Sequence, residues 1–154
     1  MMIELRTILL AEDNPQDVEL TLEALATHNL ANHVVVVNDG VEVLEYLRRE
    51  GRYRLRAPGQ PVVLMLDIKM PRMDGLEVLR QIRSDPALKM LPVVILSSSR
   101  EESDLITGYS LGVNAYVVKP VDFTEFMAAV ELLGQFWAIV NEVPVIEPGG
   151  ETDA

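Results

Sequence analysis

The chain has 154 residues, of which 49% are hydrophobic, so its length and composition fit a single globular domain with a sizeable core. Acidic residues outnumber basic ones by 24 to 13, and the formal net charge of -11 excludes a broad basic face of the kind that binds nucleic acid. The absence of cysteine excludes disulfides and thiol chemistry, and the lack of a secretory core in residues 1–6 or of an apolar run of membrane-spanning length predicts a soluble, cytoplasmic protein without membrane contact.

The first part of the chain alternates strand and helix patterns. Residues 7–11 form an apolar run of strand length that ends in the acidic pair Glu12 and Asp13. The Asn-Pro pair that follows predicts a helix start, because Asn caps helix N-termini and Pro favours the first helical position. Residues 34–37 form the second predicted strand, and a second helix leads into a basic loop at residues 51–60.

The central stretch begins with an unbroken apolar run at residues 62–66, which suits a strand covered on both faces. This run ends in a single carboxylate, Asp67, and the Met-Pro and Asp-Gly pairs that follow turn the chain into the third helix. A carboxylate at the carboxyl end of a central parallel strand lies where open α/β sheets hold their sites.

The last part of the chain carries two more strands. The fourth is predicted at residues 92–96 and is followed by Ser97, and the fifth, Ala115–Val118, is followed by Lys119. A helix is predicted between them at residues 101–111. A long helix then runs from a capping box at residues 122–125 to about residue 140.

Five strands alternating with five helices predict an α/β fold with one doubly wound parallel sheet. The flavodoxin-like (βα)5 arrangement with strand order 2-1-3-4-5 fits this pattern. We expect the domain to cover residues 1–140. Residues 141–154 contain two prolines and the pair Gly149-Gly150, and are predicted to form an extended or disordered C-terminal tail.

The strand ends share a pattern of chemistry-bearing side chains, because the carboxyl ends of parallel strands meet at one edge of a sheet. The side chains expected at this edge are those of Glu12, Asp13, Asp67, Ser97 and Lys119. Two like charges ~4 Å apart cost on the order of 4 kcal/mol near a protein surface, so protons or a cation must offset the repulsion. Oxygen ligands without His or Cys favour Mg²⁺, and together with a Lys and a hydroxyl they predict a phosphoryl-transfer site with an Asp nucleophile.

These motifs resemble the receiver domain of two-component response regulators, over roughly residues 6–140. The motifs that carry the resemblance are Glu12-Asp13, Asp67 with Met70-Pro71 and Asp74-Gly75, Ser97, and Tyr116-Val117-Val118-Lys119-Pro120. The resemblance implies that Asp67 accepts a phosphoryl group from a phosphohistidine of a sensor histidine kinase. It also implies that Asp13, Asp67 and the backbone carbonyl of Lys69 bind Mg²⁺ directly, with Glu12 acting through water.

The resemblance gives roles to the later motifs as well. Lys119 is expected to pair with the carboxylate and then with the phosphoryl group, and Ser97 to hydrogen-bond a phosphoryl oxygen. Tyr116 is expected to rotate inward as a switch, and the bond between Lys119 and Pro120 to be cis. Lys69 differs from the Asn or other residue that many relatives carry at the pocket mouth, and a cation there is expected to alter how water reaches the acyl phosphate and so how long the phosphoryl group lasts.

The output of the domain is expected to depend on partners, because no second domain follows in the sequence. The loop at residues 51–60, the Gln135-Phe136-Trp137 end of the last helix and the Val-Pro tail resemble stand-alone regulators paired with bacterial and cyanobacterial phytochromes. In that group the last helix and tail help to form homodimers. The aromatic pair fits such an interface, although packing of both rings on their own sheet explains it equally well.

Three other functions share part of the pattern. A haloacid-dehalogenase-type phosphatase also uses an Asp nucleophile with Mg²⁺, but it needs a second acid where this chain has Lys69. A flavodoxin shares the fold, but the acidic pair Glu12-Asp13 would repel the phosphate that its first loop holds. A degenerate receiver that only binds partners is the third alternative, and the presence of all the acceptor-site residues argues against it.

Overall fold

The computed structural model describes residues 6–144, except for the side chain of Asn32. Its centre is a five-stranded parallel sheet in the order β2-β1-β3-β4-β5, which confirms the predicted flavodoxin-like topology. The strands are β1 (Ile8–Ala11), β2 (Val34–Val37), β3 (Val63–Leu66), β4 (Val93–Ser97) and β5 (Ala115–Val118).

Five helices alternate with the strands and form two layers. They are α1 (Pro15–Ala26), α2 (Gly40–Arg48), α3 (Gly75–Ser84), α4 (Glu102–Ser110) and α5 (Phe123–Gly134). Short 3-10 turns lie at Ala31–His33 and Gly51–Tyr53. Helices α1 and α5 pack together on one face of the sheet, and α2 and α3 pack on the other.

The strand sequences explain both layers. Successive side chains of a strand point to opposite faces, and all four side chains of β1 and of β3 are buried, as expected for strands covered on both sides. Leu64 and Leu66 belong to the core under α2 and α3, whereas Val63 and Met65 belong to the core under α1 and α5. The two cores fix the register of β3, and with it the position of the residue that follows Leu66.

Side-chain caps begin the helices at the edge of the sheet where the strands end. The Asn14 Oδ1 atom accepts from the backbone N–H of Gln16 at 2.9 Å and of Asp17 at 3.2 Å. Asp39, Asp74 and Asp122 cap α2, α3 and α5 in the same way. These caps hold the loops that follow the strands, where the polar residues singled out in the sequence lie, in one conformation.

The basic loop at residues 51–60 is folded back onto α2. The Arg56 guanidinium lies 4.2 Å from the centre of the Tyr46 ring and donates to the Tyr46 backbone oxygen at 2.7 Å. The buried Glu42 carboxylate accepts from the Tyr53 hydroxyl at 2.6 Å and from Arg52 at 3.2 Å. Sequence reasoning did not find this role of Glu42, because its partners follow ten and eleven residues later in an irregular segment.

The last helix continues as a π-helical segment, Gln135–Val140, and residues 141–144 follow without regular structure. The remaining tail, residues 145–154, lies outside the described residues. By length and composition alone, the 18 residues from Phe123 to Val140 could cross a membrane, contrary to the expectation from sequence. Phe126, Val130 and Ala138 are buried in the core of this domain, so the fold accounts for part of the apolar character of the helix.

One backbone expectation is wrong. No cis peptide bond occurs within residues 6–144, so the bond between Lys119 and Pro120 is trans. The trans isomer is the lower in energy for most bonds that precede proline, by about 0.5–1 kcal/mol.

Candidate functional site

Three carboxylates meet where β1 and β3 end. The two strands pair in register, with Ala11 opposite Leu66, so Glu12 and Asp67 leave the sheet side by side. One ligand oxygen each from Glu12, Asp13 and Asp67 lies within 4.8 Å of the others. Glu12 is 3% exposed and Asp67 is 8% exposed, whereas Asp13 is exposed to solvent. The site therefore has a buried acidic floor and an accessible acidic rim.

The Asp67 carboxylate makes one hydrogen bond and lies close to one ammonium. Its Oδ1 atom accepts a hydrogen bond from the backbone N–H of Ile68 at 2.8 Å, and its Oδ2 atom lies 3.5 Å from the Lys119 Nζ atom. The carboxylate thus lies between a cation and two other acids. The Asp67 side chain does not point away from Asp13 and Lys119, an orientation that would have ruled out the predicted chemistry.

Lys119 has more partners than the sequence indicated. Its ammonium lies 2.5 Å from the Glu12 Oε1 atom and 2.8 Å from the Asp17 Oδ2 atom. Burial opposes the charged form of Lys119, but the hydrogen bonds that its ammonium donates to Asp17 and Glu12 and the charge of Asp67 outweigh it, so the pKa of Lys119 is raised. Lys119 therefore carries its charge, and Asp17 belongs to its surroundings although sequence reasoning missed it.

Glu12 is the carboxylate of this cluster whose pKa is raised. Burial raises the pKa of Glu12 from 4.5 to about 7, and the neighbouring Asp67 charge adds to the increase while Lys119 opposes it. Burial is the larger cause of this shift, and Lys119 offsets it only in part. The donor set fits Mg²⁺, because its atoms are carboxylate oxygens and the exposed rim leaves room for the waters that this ion retains.

The raised pKa of Glu12 predicts that binding of Mg²⁺ strengthens with pH. The folded carboxyl holds its proton more tightly than the unfolded chain does, so its stabilising contribution is complete below about pH 4.5 and is lost as the pH rises through about 7. A cation must displace that proton, so we expect Mg²⁺ affinity to rise roughly tenfold between about pH 6 and about pH 8. Urea unfolding at both pH values, with and without Mg²⁺, measures the effect.

The matched control for this measurement is Glu12→Gln, which cannot lose a proton. This variant should keep its stability nearly constant over the same pH range and should show a flat pH dependence of Mg²⁺ affinity. Equal affinity of the wild-type protein at both pH values would contradict the assignment of the proton to Glu12.

The hydroxyl and the aromatic residue of the pattern lie around the loop between β4 and α4. Ser97 is fully buried at the end of β4, and its Oγ atom accepts from the backbone N–H of Ser99 at 3.3 Å. The Tyr116 hydroxyl donates to the backbone oxygen of Ser99 at 3.0 Å. The Ser99 hydroxyl in turn donates to the Asp104 Oδ2 atom at 2.6 Å. Burial raises the pKa of Tyr116, so its hydroxyl keeps its proton as a donor.

Lys69 lies two residues beyond Asp67, in the loop between β3 and α3, and it is exposed to solvent. An open cleft next to it is lined by Ile68, Met70, Asp74, Leu76, Glu101 and Asp104 as well as by Lys69 itself. Lys69 thus lines a cleft together with the carboxylates of Asp74, Glu101 and Asp104, at the starts of α3 and α4.

Comparison with known proteins decides the family. Residues 8–131 match the family described as response regulator receiver domain, which is more than half of the chain. The chain belongs to the response regulator receiver family. This match confirms the resemblance to receiver domains that the sequence motifs predicted. The acidic cluster and Lys119 lie in the fold of that family.

Among curated relatives, the response regulator Rcp1 of Synechocystis sp. is 35% identical to this receiver over 139 residues, which are 90% of this chain and 93% of Rcp1. The solved structure of a phosphorylated cyanobacterial phytochrome response regulator, RcpA, is 40% identical, with a TM-score of 0.85 and coverage of 92% and 99% of the two chains. The bacteriophytochrome response regulator AtBRR is 56% identical, with a TM-score of 0.72 and coverage of 91% and 100%.

Metal binding also has support from these relatives. Rcp1 has been solved in a Mn²⁺-bound form, at 34% identity and a TM-score of 0.84, over 90% of this chain and 99% of Rcp1. Receiver domains bind a divalent metal ion, and Glu12, Asp13 and Asp67 form an acidic cluster that can hold Mg²⁺. The expectation of Mg²⁺ as cofactor agrees with these findings.

Proposed function

We propose that Asp67 of this response regulator accepts a phosphoryl group from a phosphohistidine of a sensor histidine kinase. The observation that carries this proposal is the position of the Asp67 carboxylate, 3.5 Å from a charged, nearly buried ammonium and within 4.8 Å of two further carboxylates. In the transfer, an Asp67 oxygen attacks phosphorus, an oxygen–phosphorus bond forms as the nitrogen–phosphorus bond breaks, and the histidine nitrogen leaves with its electron pair.

Each of the remaining groups has a role in this proposal. Mg²⁺, when bound, supplies positive charge that offsets the charge of the phosphoryl oxygens. Asp13, Asp67 and the backbone carbonyl of Lys69 would hold the ion, and Glu12 would act through a water molecule. Lys119 is the protein's own cation in the site, and its ammonium is within reach of a phosphoryl group on Asp67.

Ser97 and Tyr116 would transmit the phosphorylation of Asp67 to the protein surface. The buried Ser97 hydroxyl would hydrogen-bond a phosphoryl oxygen and draw in the loop between β4 and α4. Tyr116 would follow as a switch, since its hydroxyl already bonds to that loop at Ser99. The phosphoryl group carries about -1.5 to -2 charges in place of the single negative charge of the Asp67 carboxylate, and this added charge supplies the driving force for the movement.

Incubation with acetyl phosphate and Mg²⁺ tests the proposal. We expect the mass of the intact protein to rise by one phosphoryl group, with the label on an acyl phosphate that hydroxylamine removes. Rapid turnover of phosphoesters would instead indicate a phosphatase, and no labelling with or without Mg²⁺ would indicate a receiver that acts only by binding.

The kinase partner that we propose is a phytochrome. The support is similarity to RcpA, whose structure is that of a cyanobacterial phytochrome response regulator, and to the bacteriophytochrome response regulator AtBRR. A cytoplasmic location is part of the same proposal. Phosphoryl transfer from a purified bacteriophytochrome kinase should be faster than transfer from an unrelated histidine kinase, and equal rates would argue against the pairing.

We also propose a homodimer formed through the last helix and the tail. Trp137 is partly buried against the core under α5, but Phe136 is 48% exposed and packs edge-on against the Trp137 ring at 5.0 Å. The exposed apolar side chains near the C-terminal end of this helix are those of Leu132, Phe136, Ile139 and Val140. An apolar stripe of this kind is typical of a surface that a partner covers.

Sedimentation with and without beryllofluoride tests the dimer. Phe136→Ser should shift the mass distribution towards the monomer, because it removes an aromatic ring from the proposed interface. Leu55→Ser is the matched control, since Leu55 is 87% exposed in the basic loop and is not part of the last helix. A wild-type protein that sediments as a monomer in both states would overturn the proposal.

A further inference from the structure

We propose that Asp17 is a positioning residue that holds the Lys119 ammonium on the α1 side of the pocket and thereby sets how readily it reaches a phosphoryl group on Asp67. The ammonium is 2.8 Å from Asp17 but 3.5 Å from Asp67. The inference rests on the proposed function of Asp67, and it adds a residue from α1 to the control of that site.

The protein fixes Asp17 firmly in this position. Its backbone N–H donates to the Asn14 Oδ1 atom at 3.2 Å, and its backbone oxygen accepts from the Thr21 hydroxyl at 2.6 Å. Asp17 lies in the first turn of α1, where the helix dipole stabilises a negative charge. That local role explains an acid at this position, but it does not require the side chain to contact Lys119, which lies 102 residues away in the sequence.

The donor count of Lys119 shows why the contact matters. An ammonium has three N–H donors, and two of them are directed to Glu12 and Asp17, so one remains for Asp67. The Lys119 side chain is only 9% exposed, so water competes weakly for these donors. The remaining donor is 3.5 Å from Asp67 while the ammonium is held 2.8 Å from Asp17, so a phosphoryl group on Asp67 must draw the cation against its ion pair with Asp17.

Glu12 and Asp17 differ in one respect that makes Asp17 the persistent partner. Glu12 belongs to the acidic cluster that can hold a divalent cation, whereas Asp17 does not. When the Glu12 oxygens turn to a cation, Asp17 is the carboxylate that still holds Lys119. The strength of this one ion pair then tunes the access of Lys119 to the phosphoryl group.

The experiment compares Asp17→Asn with Glu19→Gln by two measurements. Glu19 is the matched control, because it is an exposed acid on the same helix, two residues further on. Beryllofluoride is the phosphoryl probe, in the presence of Mg²⁺. We expect Asp17→Asn to bind it more tightly by roughly fivefold, the size expected for loss of one partly exposed ion pair, and Glu19→Gln to match the wild-type protein. Asp17→Glu, which keeps the charge, should restore most of the wild-type affinity.

The second measurement needs neither Mg²⁺ nor a phosphoryl probe. The chain has only three lysines, Lys69, Lys89 and Lys119, so selective ¹³C labelling of lysine ε-carbons gives three signals. We expect the Lys119 signal to move and to gain mobility in Asp17→Asn, while the other two signals stay in place. An unchanged Lys119 signal, or a beryllofluoride affinity equal to that of Glu19→Gln, would overturn the inference. If the wild-type protein binds no beryllofluoride, the proposed function itself fails, even where the lysine signal still reports the contact with Asp17.

Discussion

Asp67→Asn should remove phosphoryl labelling from this protein completely. The amide that replaces the carboxylate is nearly the same size, so the backbone hydrogen bond from Ile68 to the Oδ1 atom and the fold around it should remain. The amide lacks the negative charge and the nucleophilic oxygen that the transfer needs. We therefore expect labelling by acetyl phosphate to fall to background, measured as the mass of the intact protein after incubation with Mg²⁺.

The control for this variant is another acid of the same edge. Asp74→Asn changes the cap of α3, where the Oδ1 atom of Asp74 accepts from the backbone N–H of Glu77 at 3.0 Å, and an Asn side chain can make the same bond. It should label as the wild-type protein does. Full labelling of Asp67→Asn would place the acceptor at a different residue and would refute the proposed role of Asp67.

Asp67→Asn should also change the pKa of a neighbouring carboxyl in the pocket. Asp67 is one of the charges that raise the pKa of Glu12, although burial contributes more. Its removal should lower the pKa of Glu12, so the pH dependence of stability should move towards lower pH. Urea unfolding of Asp67→Asn between about pH 5 and about pH 8 tests this coupling independently of labelling.

The sequence was sufficient for the fold because its signals are local. Each strand is a short apolar run, the starts of α1, α2, α3 and α5 carry capping residues, and the strand order follows from alternation with short connections. The acidic pocket was predictable for the same reason, since Glu12, Asp13 and Asp67 directly follow β1 and β3. Parallel pairing then brings them within 4.8 Å without any further information.

The parts that sequence reasoning missed depend on contacts between distant segments. Asp17 lies in the first turn of a helix, where an acid is expected for the dipole alone, and only the fold, which packs α1 against α5, brings it to Lys119. Glu42 has the sequence context of a surface residue in α2, yet the loop at residues 51–60 folds back and buries it. The trans bond before Pro120 was missed because the cis expectation came from the family resemblance and not from the residues themselves.

Gly75→Ala is expected to damage both the fold and the site. A Cβ atom at Gly75 would meet the backbone oxygen of Asp67 well inside van der Waals contact and would lie 2.9 Å from the Ile68 Cα atom. These are backbone atoms, which cannot move aside as a side chain can, and the Gly75 N–H also donates to the Ile68 oxygen at 2.8 Å. We expect a loss of roughly 1–3 kcal/mol in the free energy of unfolding, as for overpacking of a rigid site.

Gly75→Ala should also weaken the binding of Mg²⁺. Relief of the clash must displace the segment that holds Asp67, so Mg²⁺ affinity should fall along with stability. Gly108→Ala is the matched control, because Gly108 lies within α4, where an added Cβ would make ordinary contacts at 3.4 Å or more. Removal of a helical glycine there should leave Mg²⁺ affinity unchanged and should stabilise the protein by up to about 1 kcal/mol. If Gly75→Ala unfolds at the same urea concentration as the wild-type protein and binds Mg²⁺ equally well, the close approach of α3 to the Asp67 backbone is not what positions the acceptor.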